Sequence, residues 1–334
     1  MAVVLRLRAA VAAGILAGLQ PAAAGAESVV QRGLSAPSPA LGRALRYDLY
    51  KPAVAPARGE RWPVLYLLHG GNPGESDWVD TGGLASSMDR AIAAGEMPPT
   101  VVVMPYAGDS WYVDNPDPGG AGLMKTALTR DLVRAVDASL PTAACRQARA
   151  VAGLSTGGYG ALLFAFDQPR EYGAAVSFSG SISPLMGPQM KARLKRAQRL
   201  YDGAFGVPFK SARFNAWNLF PKASRLGYGG APRPTVFLSA GDRDLGGAIQ
   251  GATDLHLALL RNGADSTLRI VGGKHDWALW RKELGPALAW LGPRLDPSCG
   301  AAMAAAPKAD DALNAAKQSV SVSGPAPANP AAEP

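Results

Sequence analysis

The chain has 334 residues, 48% hydrophobic and 18% charged, enough for one large domain with a sizeable core and too apolar for a disordered polyelectrolyte. Its formal net charge is +8, and the segment 181–230 carries +8 by itself. Without Arg6 and Arg8 the total falls to +6, leaving about −2 outside that segment, so the basic balance belongs to one insertion and does not point to a nucleic-acid-binding protein.

At the start, Arg6 and Arg8 precede the apolar run Ala9 to Leu19 and the small residues Ala24-Gly25-Ala26. This is the order of a secretory signal (1–26), cleaved after Ala26 to start a mature chain at Glu27. The expected location is periplasmic or secreted. Apolar, β-branched runs then alternate with helical patterns. Strands are expected at Arg46–Tyr50, Val64–Leu68, Thr100–Met104, Ala148–Leu154, Ala174–Ser179, Thr235–Ser239 and Thr267–Val271. Helices are expected near 83–94, 125–139, 157–167, 248–262 and 277–291. The alternation predicts an α/β fold, a mainly parallel central sheet with helices on both faces, over 27–299. Residues 300–334 are rich in Ala and Pro with few large apolar groups, and read as a disordered tail. Export would permit a disulfide between Cys145 and Cys299, with two unpaired thiols as the alternative.

Gly153-Leu154-Ser155-Thr156-Gly157 fits G-x-S-x-G, a sharp strand-to-helix turn that exposes a serine hydroxyl. A short motif alone is weak. Here an apolar strand runs directly into it, and Gly158–Leu163 begins a helix. Such a serine needs a base. Of the three histidines, His69 ends an early strand and His256 sits inside a helical pattern. Only His275 follows the serine in a loop after a strand, in the order Ser…Asp…His of α/β-hydrolases. The acid belongs in Gly241-Asp242-Arg243-Asp244, where the residues alone leave Asp242 and Asp244 both open. Asp276, beside the histidine, is poorly placed to orient it. The backbone N–H of Thr156 and of Gly71, in the loop after Val64–Leu68, are the expected oxyanion donors. Three histidines and two cysteines, without H-E-x-x-H or C-x-x-C, make a poor metal set. No P-loop is found, and no G-x-G-x-x-G follows a strand.

Four stretches together resemble the putative esterase family of α/β-hydrolases. They are Val64–Asn72 with Trp78, Val101–Pro105 through Ser110–Asn115, the turn Gly153–Gly160, and Gly273–Trp277 with Trp280. The resemblance covers about 45–293. Relatives include S-formylglutathione hydrolases, feruloyl and acetylxylan esterases, enterochelin esterases and mycolyltransferases. It implies a Ser-Asp-His triad of Ser155, Asp244 and His275, backbone donors at Gly71 and Thr156, and no cofactor. The family's acid stands last in a G-x-x-D turn, which favours Asp244 over Asp242. Many members carry Met after the nucleophile where this chain has Thr156.

The segment 181–230 lies where this fold carries a lid, and holds Tyr201, Phe205, Phe209, Phe214, Trp217, Phe220 and Tyr228. Met190, Leu194, Ala197 and Tyr201 are at helical spacing, with Lys191, Lys195 and Arg199 off that stripe. Two readings stay open. The lid shapes an acyl or aromatic pocket and presents positive charge to an anionic substrate or surface, or it is a solvated basic helix over an ordinary core. The leading expectation is an exported serine esterase acting on a small-molecule or glycan-linked ester through an acyl-enzyme, with no nucleic-acid partner. The alternatives are acyl transfer to a sugar hydroxyl, as in mycolyltransferases, and a non-catalytic binding protein on the same scaffold.

Overall fold

The computed structural model describes residues 27–58, 60–71, 74, 76–187, 201 and 203–299. The segment 1–26 expected as a signal, the tail 300–334 and the Met190–Ala197 part of the expected helical stripe lie outside the described residues. Ten strands are described: β1 Val29–Ser38, β2 Arg43–Lys51, β3 Val64–Leu68, β4 Val101–Pro105, β5 Asp114–Asn115, β6 Gly122–Leu123, β7 Arg149–Leu154, β8 Ala174–Phe178, β9 Thr235–Gly241 and β10 Ser266–Val271. The helices are α1 Asp77–Asp80, α2 Leu84–Ala93, α3 Leu132–Ser139, α4 Thr156–Asp167, α5 Ser211–Ala216, α6 Leu219–Ala223, α7 Gly246–Arg261 and α8 Trp277–Leu291.

Eight strands form one sheet in the order β1-β2-β4-β3-β7-β8-β9-β10. The pairs β1/β2 and β2/β4 are antiparallel, and all the others are parallel. Both faces of β3, β4, β7, β8 and β9 are covered, so these strands are almost continuously apolar, while the edge strand β10 is part-exposed. Alternate residues serve opposite cores. Val64, Tyr66 and Leu68 pack on one side with α3, α4 and α7, through Leu132, Leu162 and Leu255. Leu65 and Leu67 pack on the other with α2 and α8, through Met88, Leu284 and Leu288. The expected α/β-hydrolase fold is the one observed.

The elements missed from the sequence are β1, the two-residue strands β5 and β6, and the short helices α1, α5 and α6. The edge strand β1 is exposed at most positions and contains Gly33 and Pro37. It carries little apolar alternation for a sequence reading to catch. The helix expected over 125–139 is present as one continuous run over 124–139, with a π-helical segment inside it. Met124–Thr126 is its first α-helical turn, Ala127–Asp131 is wound as π-helix, and α3 continues it to Ser139. Cys145 and Cys299 are joined by a disulfide that ties the segment before β7 to the end of the domain.

The segment 181–230 is tied to the rest of the domain and to itself by hydrogen bonds. Asn115 Nδ2 donates to Gly203 O (2.7 Å) and Tyr159 Oη to Trp217 O (2.8 Å), while Asn218 Nδ2 bonds Ser183 O (2.9 Å) within the segment. Three of its described cations pair with acidic residues: Arg213 and Lys210 with Asp117, Lys222 with Asp167. Tyr201, Phe205 and Phe214 are buried against Trp111, whose ring centroid is 4.6 Å from that of Tyr201. Tyr228 stands in solvent at 74% exposure.

Candidate active site

Ser155 sits between β7 and α4 with φ +53° and ψ −116°. A non-glycine residue holds such a conformation only when its surroundings over-determine it. Here the Ser155 N–H donates to Phe178 O at 2.8 Å, while Ser155 O accepts from Ser181 N at 3.0 Å and Tyr159 N at 3.1 Å. The flanking glycines are steric requirements. A Cβ on Gly153 would lie 2.3 Å from Gly157 O, and one on Gly157 would lie 2.3 Å from His69 O.

The Ser155 hydroxyl lies 3.0 Å from His275 Nε2, and His275 Nδ1 lies 2.6 Å from Asp244 Oδ1. An ionised carboxylate only accepts, so Nδ1 carries the proton and the Nε2 lone pair faces the serine. The Asp244 side chain is fully buried. Burial alone would raise its pKa, but hydrogen bonds from His275, Ser179, Gly241 N and Leu245 N outweigh it and lower it to about 2. Asp242 does something else. Exposed, its Oδ1 accepts from Gly273 N at 3.0 Å and caps that turn. Asp276 caps α8 by accepting from Leu279 N at 3.1 Å. The structure therefore groups Ser155, His275 and Asp244 and leaves both other aspartates outside.

The imidazole is held by an aromatic row. Trp280 meets the His275 ring edge-on at 5.1 Å, Trp277 meets Trp280 at 5.3 Å, and Trp78 meets Trp277 at 5.3 Å. The indole N–H of Trp78 donates to Leu68 O at 3.0 Å. The motif tryptophans thus join the loop after β3 to the loop after β10.

That β3 loop carries Gly70 beside the serine, followed by Gly71. A Cβ on Gly70 would come 2.5 Å from Leu154 Cδ1 and 3.6 Å from Ser155 Cβ, whereas one on Gly71 would meet open space. Thr156, with its N–H at the first turn of α4, directly follows the serine. His69 takes no part as a base. Its Nε2 accepts from Ala107 N at 3.0 Å, which leaves the proton on Nδ1 to bond Gly70 O at 2.7 Å. His256 is remote, bonded to Ser266 Oγ at 2.9 Å on α7.

Two residues that the sequence did not single out meet the site. Tyr112, with φ +58°, donates its hydroxyl to His69 O at 2.7 Å. Ser179 lies just past β8 rather than in it, because its φ of +49° breaks the ladder, and it bonds Asp244 Oδ2 at 2.5 Å. Serine followed by Gly180 at the end of a strand is a faint signal for such a turn. Among the described residues, no cluster of three or more His, Cys, Asp or Glu is arranged to hold a metal ion.

The model of the family described as "Putative esterase" matches residues 38–291. The chain belongs to this family. It is 31% identical over 141 residues to an endo-1,4-beta-xylanase/feruloyl esterase of Xylanibacter ruminicola, covering 41% of this chain and 19% of the relative. It is 23% identical to an acetyl esterase of Caldicellulosiruptor saccharolyticus over 70% of this chain and 84% of that one. A solved ferulic acid esterase superposes with a TM-score of 0.65 at 21% identity, covering 80% of this chain and 99% of its own. The matches span only 19–26% of the length of the first curated relatives.

Proposed function

We propose that this esterase-family chain is an exported serine hydrolase of carboxylic esters, with Ser155 as nucleophile, His275 as general base and Asp244 as its supporting acid. The observation that carries this reading is the line of contacts from Ser155 Oγ to His275 Nε2 (3.0 Å) and from His275 Nδ1 to Asp244 Oδ1 (2.6 Å) at a strained turn. Ser155 Oγ attacks the ester carbonyl as its proton passes to His275, and Asp244 stabilises the imidazolium. The N–H groups of Gly71 and Thr156 receive the negative oxygen. His275 returns the proton to the leaving alcohol, and the acyl-enzyme is then cleaved by water that the same imidazole deprotonates.

Relatives named feruloyl and acetyl esterases support an acyl ester carried on a glycan or a small molecule as substrate. The Cys145–Cys299 bridge is consistent with an oxidising compartment and so with export. The deciding experiment compares p-nitrophenyl acetate hydrolysis by residues 27–334 with that of Ser155→Ala. Loss of several orders of magnitude in the variant, together with loss of fluorophosphonate labelling, is the expected result. Equal activity in two folded proteins would remove Ser155 from the chemistry.

A further inference from the structure

The acid's far oxygen has its own support. Ser179 is 1% exposed, and its backbone N–H donates to Ser239 O at 2.7 Å, linking the ends of β8 and β9. Its Oγ lies 2.5 Å from Asp244 Oδ2 and receives the Trp280 indole N–H at 3.0 Å. An indole nitrogen only donates. It therefore occupies a lone pair of the serine oxygen and leaves the hydroxyl proton for the carboxylate. Trp280 also stands edge-on to the His275 ring at 5.1 Å, so one side chain braces both the base and the residue that holds the acid.

We infer that Ser179, held in turn by Trp280, is a positioning residue that fixes the Asp244 carboxylate and tunes its hold on His275. The inference rests on the serine-esterase reading above. A hydrogen bond to a charged group is among the stronger ones, and removing this donor concentrates negative charge on the carboxylate. The imidazolium is then held more tightly, so His275 keeps its proton to higher pH, while the carboxylate loses its fixed orientation. Other ionisable groups here are few. Asp242 and Arg243 share the acid's turn and pair with each other at 3.4 Å. Lys274 and Asp276 flank His275 in the chain. Glu283 on α8 bonds Ser239 Oγ, and its charge is matched by Arg269 at 2.8 Å.

The test measures kcat/KM against pH for wild type, Ser179→Ala, Trp280→Phe and the double variant, beside Ser155→Ala. Ser179→Ala is expected to lose roughly tenfold in kcat, with the acid limb moved up by roughly half a pH unit. Trp280→Phe moves the limb the same way by less, and the double variant has the limb of Ser179→Ala. An unmoved limb in Ser179→Ala, or a further upward shift when Trp280→Phe is added to it, overturns the inference. Should Ser179→Ala fail to fold, Trp280→Phe decides, and a wild-type limb in that variant overturns it equally. Activity that survives Ser155→Ala overturns the serine-esterase reading and this inference with it. That outcome is read from the wild-type and Ser155→Ala pair alone.

Discussion

The ring of His69 reads the carbonyl of its own neighbour: Nδ1 lies 2.7 Å from Gly70 O, with Nε2 occupied by the Ala107 N–H at 3.0 Å. The Gly70 carbonyl and the Gly71 N–H belong to one planar trans peptide and point opposite ways. Fixing the first therefore aims the second, the proposed oxyanion donor. His69→Ala frees this peptide without touching Ser155, His275 or Asp244. A mis-aimed donor should lower kcat by about 10–100-fold, somewhat less than outright loss of one donor, with KM little changed. Steady-state kinetics on p-nitrophenyl acetate check this, and an unchanged kcat would detach His69 from the oxyanion loop.

The turn at Ser155 is sterically full. A methyl on Gly157 would stand 2.3 Å from His69 O and 2.7 Å from Leu68 O, both backbone atoms with no room to yield. Gly157→Ala must push α4 away from the β3 loop. The expected result is a loss of roughly 2–4 kcal/mol in stability, in the range of overpacked or strained sites, and kcat reduced at least tenfold in whatever remains folded. Denaturant unfolding and kinetics report the two effects separately.

Much of this architecture was legible in local pattern. Val64–Leu68 and Trp277–Leu291 match their expected bounds, and the other expected strands shift by only a few residues. Strand-to-helix periodicity and the Gly-x-Ser-x-Gly turn are properties of adjacent residues. What the sequence did not reveal is set by partners far apart in the chain. Ser179 meets Asp244 across 65 residues and Trp280 across 101, and Ala107 reaches His69 across 38. The choice between Asp242 and Asp244 was of the same kind. Both stand in one turn, and only the fold directs one carboxylate to His275 and the other to Gly273 N.

Those two carboxylates should separate cleanly by mutation and by pH. Asp244→Asn removes the acceptor that fixes the Nδ1–H tautomer, and should cost on the order of 10⁴ in kcat. Asp242→Asn, which only weakens an exposed turn cap, should stay within about threefold. The Asp244 pKa is depressed from 3.8 to about 2 by its hydrogen-bond donors. A depressed folded-state pKa adds stability that is complete above the unfolded value and is lost as pH falls through the folded one. Wild type should therefore lose melting temperature between about pH 4 and pH 2 more steeply than Asp244→Asn, which lacks this titration. Parallel curves for the two proteins would show that Asp244 is not held as an anion.

The bridge between Cys145 and Cys299 closes a loop of 154 residues that contains Ser155, Asp244 and His275. A cross-link over so long a loop removes much of the unfolded chain's freedom, and stabilises by about 2–5 kcal/mol. None of the contacts around the triad depends on either cysteine. The double variant Cys145→Ser/Cys299→Ser should therefore melt several degrees lower while keeping wild-type kcat at temperatures where it is folded. Calorimetry with kinetics on the same samples tests both halves. A large loss of kcat in the folded variant would mean that the end of the domain is coupled to the site by more than chain connectivity.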